Sequence, residues 1–179
     1  MSFWHPGHSE DEDTMTEDSG IIIRRYTDDD FAAACALNGM GRNEPYAGAV
    51  FIRQAGALYG STFLCAVCEG QVCGYTIGAP VTGGSTAAWV LRLGVLPSHR
   101  GRGVGRALMQ ALLMRVEAAG IPELFLSVHP ENRPARSLYD SLGFIVTETV
   151  CGYFGEGEDR LIMKKILNTA QTSSLSPCR

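Results

Sequence analysis

Apolar and polar positions along the 179-residue chain follow two periods, and the switches between them outline the elements. Short β-branched and aromatic runs read as strands. "IIIRRY" (21–26) is the first, and "STFLCAVC" and "VCGYTIGA" flank the short turn "EGQ" in the pattern of a hairpin. "AAWVLRLGVLP" (87–97) is the next strand, stopped by Pro97. Other segments carry the helical period. Asp28–Asp30 start a short helix whose apolar part is "FAAACAL", and Pro45 opens a second with Val50, Phe51 and Leu58 on one face. In "RALMQALLMRVEAAG", Leu108, Leu112 and Val116 fall at i, i+4 and i+8, joined by Met109 and Leu113. Gly120 ends that helix and Pro122 follows. "ELFLSV" is a strand, and "RPARSLYDSLGF" is a helix with Pro134 in its first turn and Gly143 at its end. "FIVTETV" and "RLIMKKIL" are two further strands, joined by the polar loop "CGYFGEGED".

Residues 87–128 therefore form a strand–helix–strand crossover, which places two parallel strands side by side. The glycine-rich "HRGRGVGRALM" (99–109) lies at the carboxyl end of the first strand, where open α/β sheets bind ligands. A phosphate loop of the GxxxxGK type is excluded, because the loop has no lysine. A GxGxxG dinucleotide fingerprint is excluded too, because Arg106 or Leu108 stands where the third glycine belongs. A third pattern, Arg-x-x-Gly-x-Gly, is met by Arg100, Gly103 and Gly105, and a plain turn with solvated arginines is the alternative reading of the same residues. Glycines let the backbone approach an anion and take up positive φ. Amides of residues 101–106 at a helix N-terminus favour negative charge, and Arg100, Arg102 and Arg106 add to it.

Composition narrows the class. The chain is 45% hydrophobic, which suffices for one domain with its own core. No apolar run reaches membrane-spanning length and no signal pattern opens the chain, so a cytoplasmic protein is expected. The formal charge of −4 is concentrated: residues 1–20 hold Glu10, Asp11, Glu12, Asp13, Glu17 and Asp18 and no Lys or Arg. Without those six acids the remainder stands at +2, too weakly basic for a nucleic-acid partner. Residues 1–20 read as a disordered acidic tail, 21–167 as one domain, and 168–179 as a flexible Ser/Thr-rich end. Of six cysteines, Cys65 and Cys68 form a CxxC, but no second pair completes a zinc site, so no metal is expected. The expected state is reduced thiols acting as small apolar groups, with Cys68 and Cys73 close enough to touch across the hairpin.

Two segments in order carry a family resemblance. "LRLGVLPSHRGRGVGRAL" and, about thirty residues on, "LSVHPENRPARSLYDSLGF" resemble motifs A and B of the GNAT superfamily of acyl-CoA-dependent N-acetyltransferases. The resemblance implies an α/β (α+β) fold. A central twisted, mostly antiparallel sheet of about seven strands is flanked by four helices, with a splayed parallel pair at the CoA site. It implies acetyl-CoA as co-substrate, direct attack by a primary amine in a ternary complex, and a fold that often dimerises.

The resemblance also assigns roles. Backbone groups of Leu93, Gly94 and Val95 pair with the pantetheine arm, and the Val95 amide faces the thioester oxygen as an oxyanion donor. Arg100, Gly101, Arg102, Gly103, Val104, Gly105 and Arg106 form the pyrophosphate loop. Asn132 contacts the CoA arm, and an N-cap is its alternative role. Tyr139 protonates the departing thiolate, with core packing as the alternative. The position where relatives place a Glu or His base is Ser127, a poor base. His129, Glu44, Glu156, Glu158 and a water chain are the other candidates. Glu44, Tyr46 and Tyr153 lie in loops that flank the acceptor side, and with Glu156, Glu158 and Asp159 would form an acidic, aromatic mouth. The expected acceptor is a small-molecule amine. A protein N-terminus or lysine is the alternative, supported by a weaker similarity of "GYFGEGED" to N-terminal acetyltransferases of the ribosomal-protein type. A non-catalytic acyl-CoA-binding module is the third reading.

Overall fold

The computed structural model describes residues 15–16, 20–39, 45–82 and 86–168. Eight strands and four α-helices follow in the order β1 (Met15–Thr16), β2 (Ile21–Arg25), α1 (Phe31–Gly39), α2 (Pro45–Leu58), β3 (Phe63–Cys68), β4 (Gln71–Pro80), β5 (Ala87–Val95), α3 (Val104–Ala118), β6 (Glu123–Val128), α4 (Arg133–Ser141), β7 (Ile145–Val150) and β8 (Arg160–Ile166). The hydrogen-bonded strand order is β1-β2-β3-β4-β5-β6-β8-β7. β1 is the strand beyond the seven expected. Its two residues lie within the acidic lead and pair antiparallel with Ile22 and Ile23. No described helix is long and apolar enough to cross a membrane.

The chain falls into two compact units that interleave in sequence: up to Thr76 with Leu93–Ala111, and Ile77–Arg92 with Leu112 onward. In the first, β3 is a continuous apolar run whose first four residues are fully buried, as a strand covered on both faces requires. The hairpin to β4 turns on Glu69 and Gly70, with φ of 52° and 78°, the two left-handed residues of a type I′ turn. Cys68 and Cys73 are joined across this turn, against the expectation of reduced thiols. The tight turn brings their Cα atoms to 6.0 Å, within disulfide reach. Cys35, Cys65 and Cys151 are free.

α2 buries Ile52 and Ala55 rather than the expected face of Val50, Phe51 and Leu58, and Leu58 is 70% exposed. The helix is turned this way because Gly56 lies against the ring of Tyr26, where a Cβ would come within 2.8 Å. Tyr26 stacks in turn on Phe63 at 4.1 Å, and Phe63 meets Tyr75 at 5.7 Å, so an aromatic row fills this core.

One buried charge anchors the start of α1. Asp30 is 4% exposed and takes a two-pronged ion pair from Arg24 at 2.6 and 2.8 Å. It also accepts from the Thr27 amide at 2.9 Å, closing a capping box. Burial raises its pKa, but Arg24 and Thr27 outweigh burial, and the net shift is downward. The folded state thus binds the Asp30 proton less tightly than the unfolded chain. The stability this gives is complete above the ordinary carboxylate value of about 3.9 and is lost as pH falls through the lower folded value. Asp30→Ala is expected to cost about 2 kcal/mol at neutral pH, from hydrogen bonds to charged groups. In melting curves the gap between variant and wild type should close on acidification below about pH 4.

In the second unit, β5 and β6 run parallel with Ala87 opposite Glu123 and Val90 opposite Leu126, as the crossover predicts. β6 alternates half-buried and buried positions, with Leu124, Leu126 and Val128 facing the core. Trp89 and Phe125, directly paired, stack at 5.3 Å. β8 lies between β6 and β7, which leaves β7 as an edge strand.

Candidate active site

The first unit carries the end of β5, the glycine loop and the start of α3. Leu93, Gly94 and Val95 are the last residues of β5 and are half-buried. Gly74 of β4 brings the two strands unusually close: a Cβ there would sit 2.9 Å from the Gly94 carbonyl oxygen and 3.1 Å from both Val104 and Leu108. Beyond β5, the Leu96 amide returns to the Cys73 carbonyl at 2.9 Å, and Pro97–His99 form a single 3-10 turn. Arg100 folds back, its Nε donating to the Val95 carbonyl at 3.2 Å.

Gly101 and Gly103 have φ of 73° and 87°, and open space lies where their side chains would be. Both therefore need to be glycine for backbone reasons alone. Helical hydrogen bonding begins with the Ala107 amide on the Gly103 carbonyl. Val104 and Gly105 thus stand in the first helical turn, whose amides have no helix carbonyl ahead of them. Val104 is buried as the helix's anchor, while Gly101, Arg102, Gly103 and Arg106 are exposed. A helix N-terminus preceded by a left-handed glycine loop has the geometry that suits an anion.

The second unit carries β6 and α4. Ser127 is half-buried on β6, paired with Ile162 of β8. His129 follows the strand, and its Nδ1 accepts from the Glu131 amide at 3.2 Å while its carbonyl accepts from Asn132 at 2.9 Å. The imidazole thus shapes the β6–α4 turn with one nitrogen. Asn132 is exposed and caps α4, its Oδ1 accepting from the Ala135 amide at 3.2 Å. Tyr139 is 7% exposed and tilts against Phe144 at 5.9 Å. Desolvation by burial pushes its pKa up to about 12, so the phenol stays protonated at neutral pH.

Glu44 lies outside the described residues. Tyr46 stands at the start of α2 and is 82% exposed. Tyr153 packs edge-on to Phe154 at 4.6 Å, and Arg160 lies 4.9 Å over the Phe154 ring. Arg160 also holds Glu158 at 2.6 Å, and Asp159 accepts from the Gly152 amide at 2.8 Å. Two of the acids expected in the mouth are therefore engaged in shaping their own loop. Among the described residues no group of three His, Cys, Asp or Glu side chains gathers as a metal site.

Sequence reasoning missed one buried polar pair. The Tyr75 hydroxyl donates to the Asn38 Oδ1 at 3.0 Å, with both residues buried. The only local sign is an asparagine ending the apolar run "FAAACALN".

Residues 38–144 match the Acetyltransferase (GNAT) family. The N-alpha-acetyltransferase of Sulfurisphaera tokodaii is 31% identical over 115 residues, 59% of this chain and 69% of that protein. A mycothiol acetyltransferase of Nocardiopsis dassonvillei is 39% identical over 82 residues, which is 46% of this chain and only 25% of that protein. The crystal structure of the ribosomal-protein-S18-alanine N-acetyltransferase from Escherichia coli superposes with a TM-score of 0.72 at 25% identity, covering 86% of this chain and 97% of that one. The chain belongs to the GNAT family, and it is an acetyl-CoA-dependent N-acetyltransferase.

Proposed function

We propose that this protein transfers acetyl from acetyl-CoA to the free α-amine of a peptide or protein, by direct attack in a ternary complex. The observation that carries the donor half is the loop of left-handed Gly101 and Gly103 running into the first turn of α3. The pyrophosphate would be held by amides of residues 101–106, with Arg100, Arg102 and Arg106 supplying positive charge. By family resemblance, Leu93, Gly94 and Val95 hold the pantetheine arm through their backbone, and Asn132 contacts it as well as capping α4. The Val95 amide stabilises the oxygen of the tetrahedral intermediate.

Tyr139 is the acid. A phenol kept neutral by burial donates its proton to the departing thiolate, and the thiol is released. The amine's proton must leave first, because a protonated amine has no lone pair. Ser127 accepts protons poorly, and one nitrogen of His129 is already engaged in the turn. The reading that fits both facts is proton loss through His129 Nε2 or a water chain to bulk solvent.

Two relatives support the α-amine, since the Sulfurisphaera protein is named an N-alpha-acetyltransferase and the Escherichia protein a ribosomal-protein-S18-alanine N-acetyltransferase. The mycothiol acetyltransferase similarity favours a small-molecule acceptor instead. Initial rates should be compared for pentapeptides beginning Ala, Ser or Met, the same peptides N-terminally blocked, and spermidine. The expected result is turnover of free peptides and none of blocked ones. Turnover of spermidine alone would assign the small-molecule reading.

A further inference from the structure

Arg100 is assigned above to the anion through its charge, but its side chain also reaches back to the strand. The turn after β5 brings it there. The His99 amide donates to the Leu96 carbonyl at 2.9 Å and the Arg100 amide to the Pro97 carbonyl at 3.3 Å, so the chain reverses over residues 96–100. Arg100 thereby returns alongside Val95, and its Nε donates to the Val95 carbonyl at 3.2 Å. Nε is the inner nitrogen of the guanidinium. The two outer nitrogens have no hydrogen-bond partner among the described residues, and they can serve an anion without giving up the inner bond.

The peptide unit that Arg100 holds is fixed at both ends. Its carbonyl, that of Val95, accepts from Arg100, and its N–H, that of Leu96, donates to the Cys73 carbonyl at 2.9 Å. The peptide unit on the other side of Val95 is confined as well. Its carbonyl, that of Gly94, lies where a Cβ on Gly74 would come within 2.9 Å. That unit carries the Val95 N–H, the group assigned to the thioester oxygen. With both flanking units held, the aim of the Val95 N–H is set. The other restraints are backbone, and Arg100 supplies the one that a side-chain substitution removes. Arg100 is exposed, so its bond adds little to stability. What it adds is direction, and an oxyanion donor works only when aimed.

We propose that Arg100 is a positioning residue: its inner nitrogen holds the Val95 carbonyl and so aims the Val95 amide at the thioester oxygen, while its outer nitrogens hold the pyrophosphate. One side chain then serves the anionic end and the reacting end of the donor together. This rests on the role given to Val95 in the function proposed above. It goes beyond that role in tying Arg100 to the rate of acetyl transfer as well as to donor affinity.

Two substitutions separate the two tasks. Arg100→Lys keeps the positive charge but puts a methylene where Nε was. Arg100→Gln gives up the charge but hangs its amide nitrogen from Cδ, the carbon that carries Nε in arginine, so a donor stands at the same place. Calorimetry gives the acetyl-CoA Kd. A single turnover with both substrates saturating gives the transfer rate, using whichever acceptor of the panel turns over fastest. Arg100→Lys is expected to bind acetyl-CoA within about threefold of the wild type and to transfer about tenfold more slowly, less than the roughly hundredfold or more for outright loss of an oxyanion donor. Arg100→Gln is expected to bind about tenfold more weakly, the effect of one lost charge-assisted hydrogen bond, and to recover the rate to within about threefold. In the absence of substrates, the Val95 amide resonance is expected to move further in Arg100→Lys than in Arg100→Gln. Both melting temperatures should stay near that of the wild type, since the side chain is exposed. The proposal is overturned if Arg100→Lys transfers as fast as the wild type, if both variants slow alike, or if the Val95 amide moves no further in Arg100→Lys. No acetyl-CoA binding by the wild type, or binding without turnover of any acceptor in the panel, removes the proposed function and this inference with it. Turnover by the wild type together with any of the three overturning results removes this inference alone.

Discussion

Tyr139→Phe is expected to lower kcat about a hundredfold, the lower range for loss of a positioned general acid, while the acetyl-CoA KM changes little. Phenylalanine preserves the ring's packing on Phe144, and α4 keeps its Asn132 cap, so the fold loses only one oxygen. In the proposed mechanism that oxygen carries the proton the thiolate needs. Its pKa of about 12 has a second consequence: the group stays protonated across the working range, so kcat should show no alkaline limb from Tyr139 up to about pH 10. Unchanged turnover in the variant would return Tyr139 to a core-packing role.

Gly74→Val is the second large effect, and it acts on donor binding. A side chain at this position meets backbone first, the Gly94 carbonyl oxygen at 2.9 Å, and then Val104 and Leu108 at 3.1 Å. The backbone oxygen has no rotamer with which to move aside, so β5 must shift at Gly94, and the Val104 side chain at the start of α3 must give by a few tenths of an ångström. Both belong to the proposed acetyl-CoA cradle. Overpacking of this kind costs about 1–3 kcal/mol of stability. Because the displaced groups are those assigned to the donor, the acetyl-CoA Kd should rise at least about tenfold, a loss of about 1.4 kcal/mol in binding. Calorimetry with acetyl-CoA and a melting curve on the same variant check the two effects separately.

The parts of this molecule legible in its sequence are those written over short range. The crossover 87–128 is one: β5, the glycine loop, α3 and β6 follow within some forty residues, and each boundary has its own signal in Pro97, the Gly101–Gly105 run and Gly120. Asn132 as an N-cap is another, since capping needs only the amide three residues on. What the sequence left open depends on partners far along the chain. The Tyr75–Asn38 bond spans 37 residues. The inward face of α2 is decided by the ring of Tyr26, which no helical period in "PYAGAVFIRQAGAL" reports. The order β6-β8-β7 follows from β8 pairing with both neighbours, whereas the two runs alone suggest only a hairpin. Glu158 and Asp159 show the same limit at a loop. Their charges suggest an acidic surface, but not that Arg160 pairs with Glu158 or that Asp159 accepts from the Gly152 amide. The general base has no residue at the place the family resemblance indicates, because Ser127 stands there.

The central claim is that acetyl-CoA docks on the end of β5 and the loop that opens α3. An amide-resolved NMR titration of the full chain with acetyl-CoA tests it most directly. The amides of Val95, Gly101, Gly103, Val104 and Gly105 are expected to shift most on saturation, with those of β7 unmoved. Saturable binding that leaves the 101–105 amides in place would contradict it.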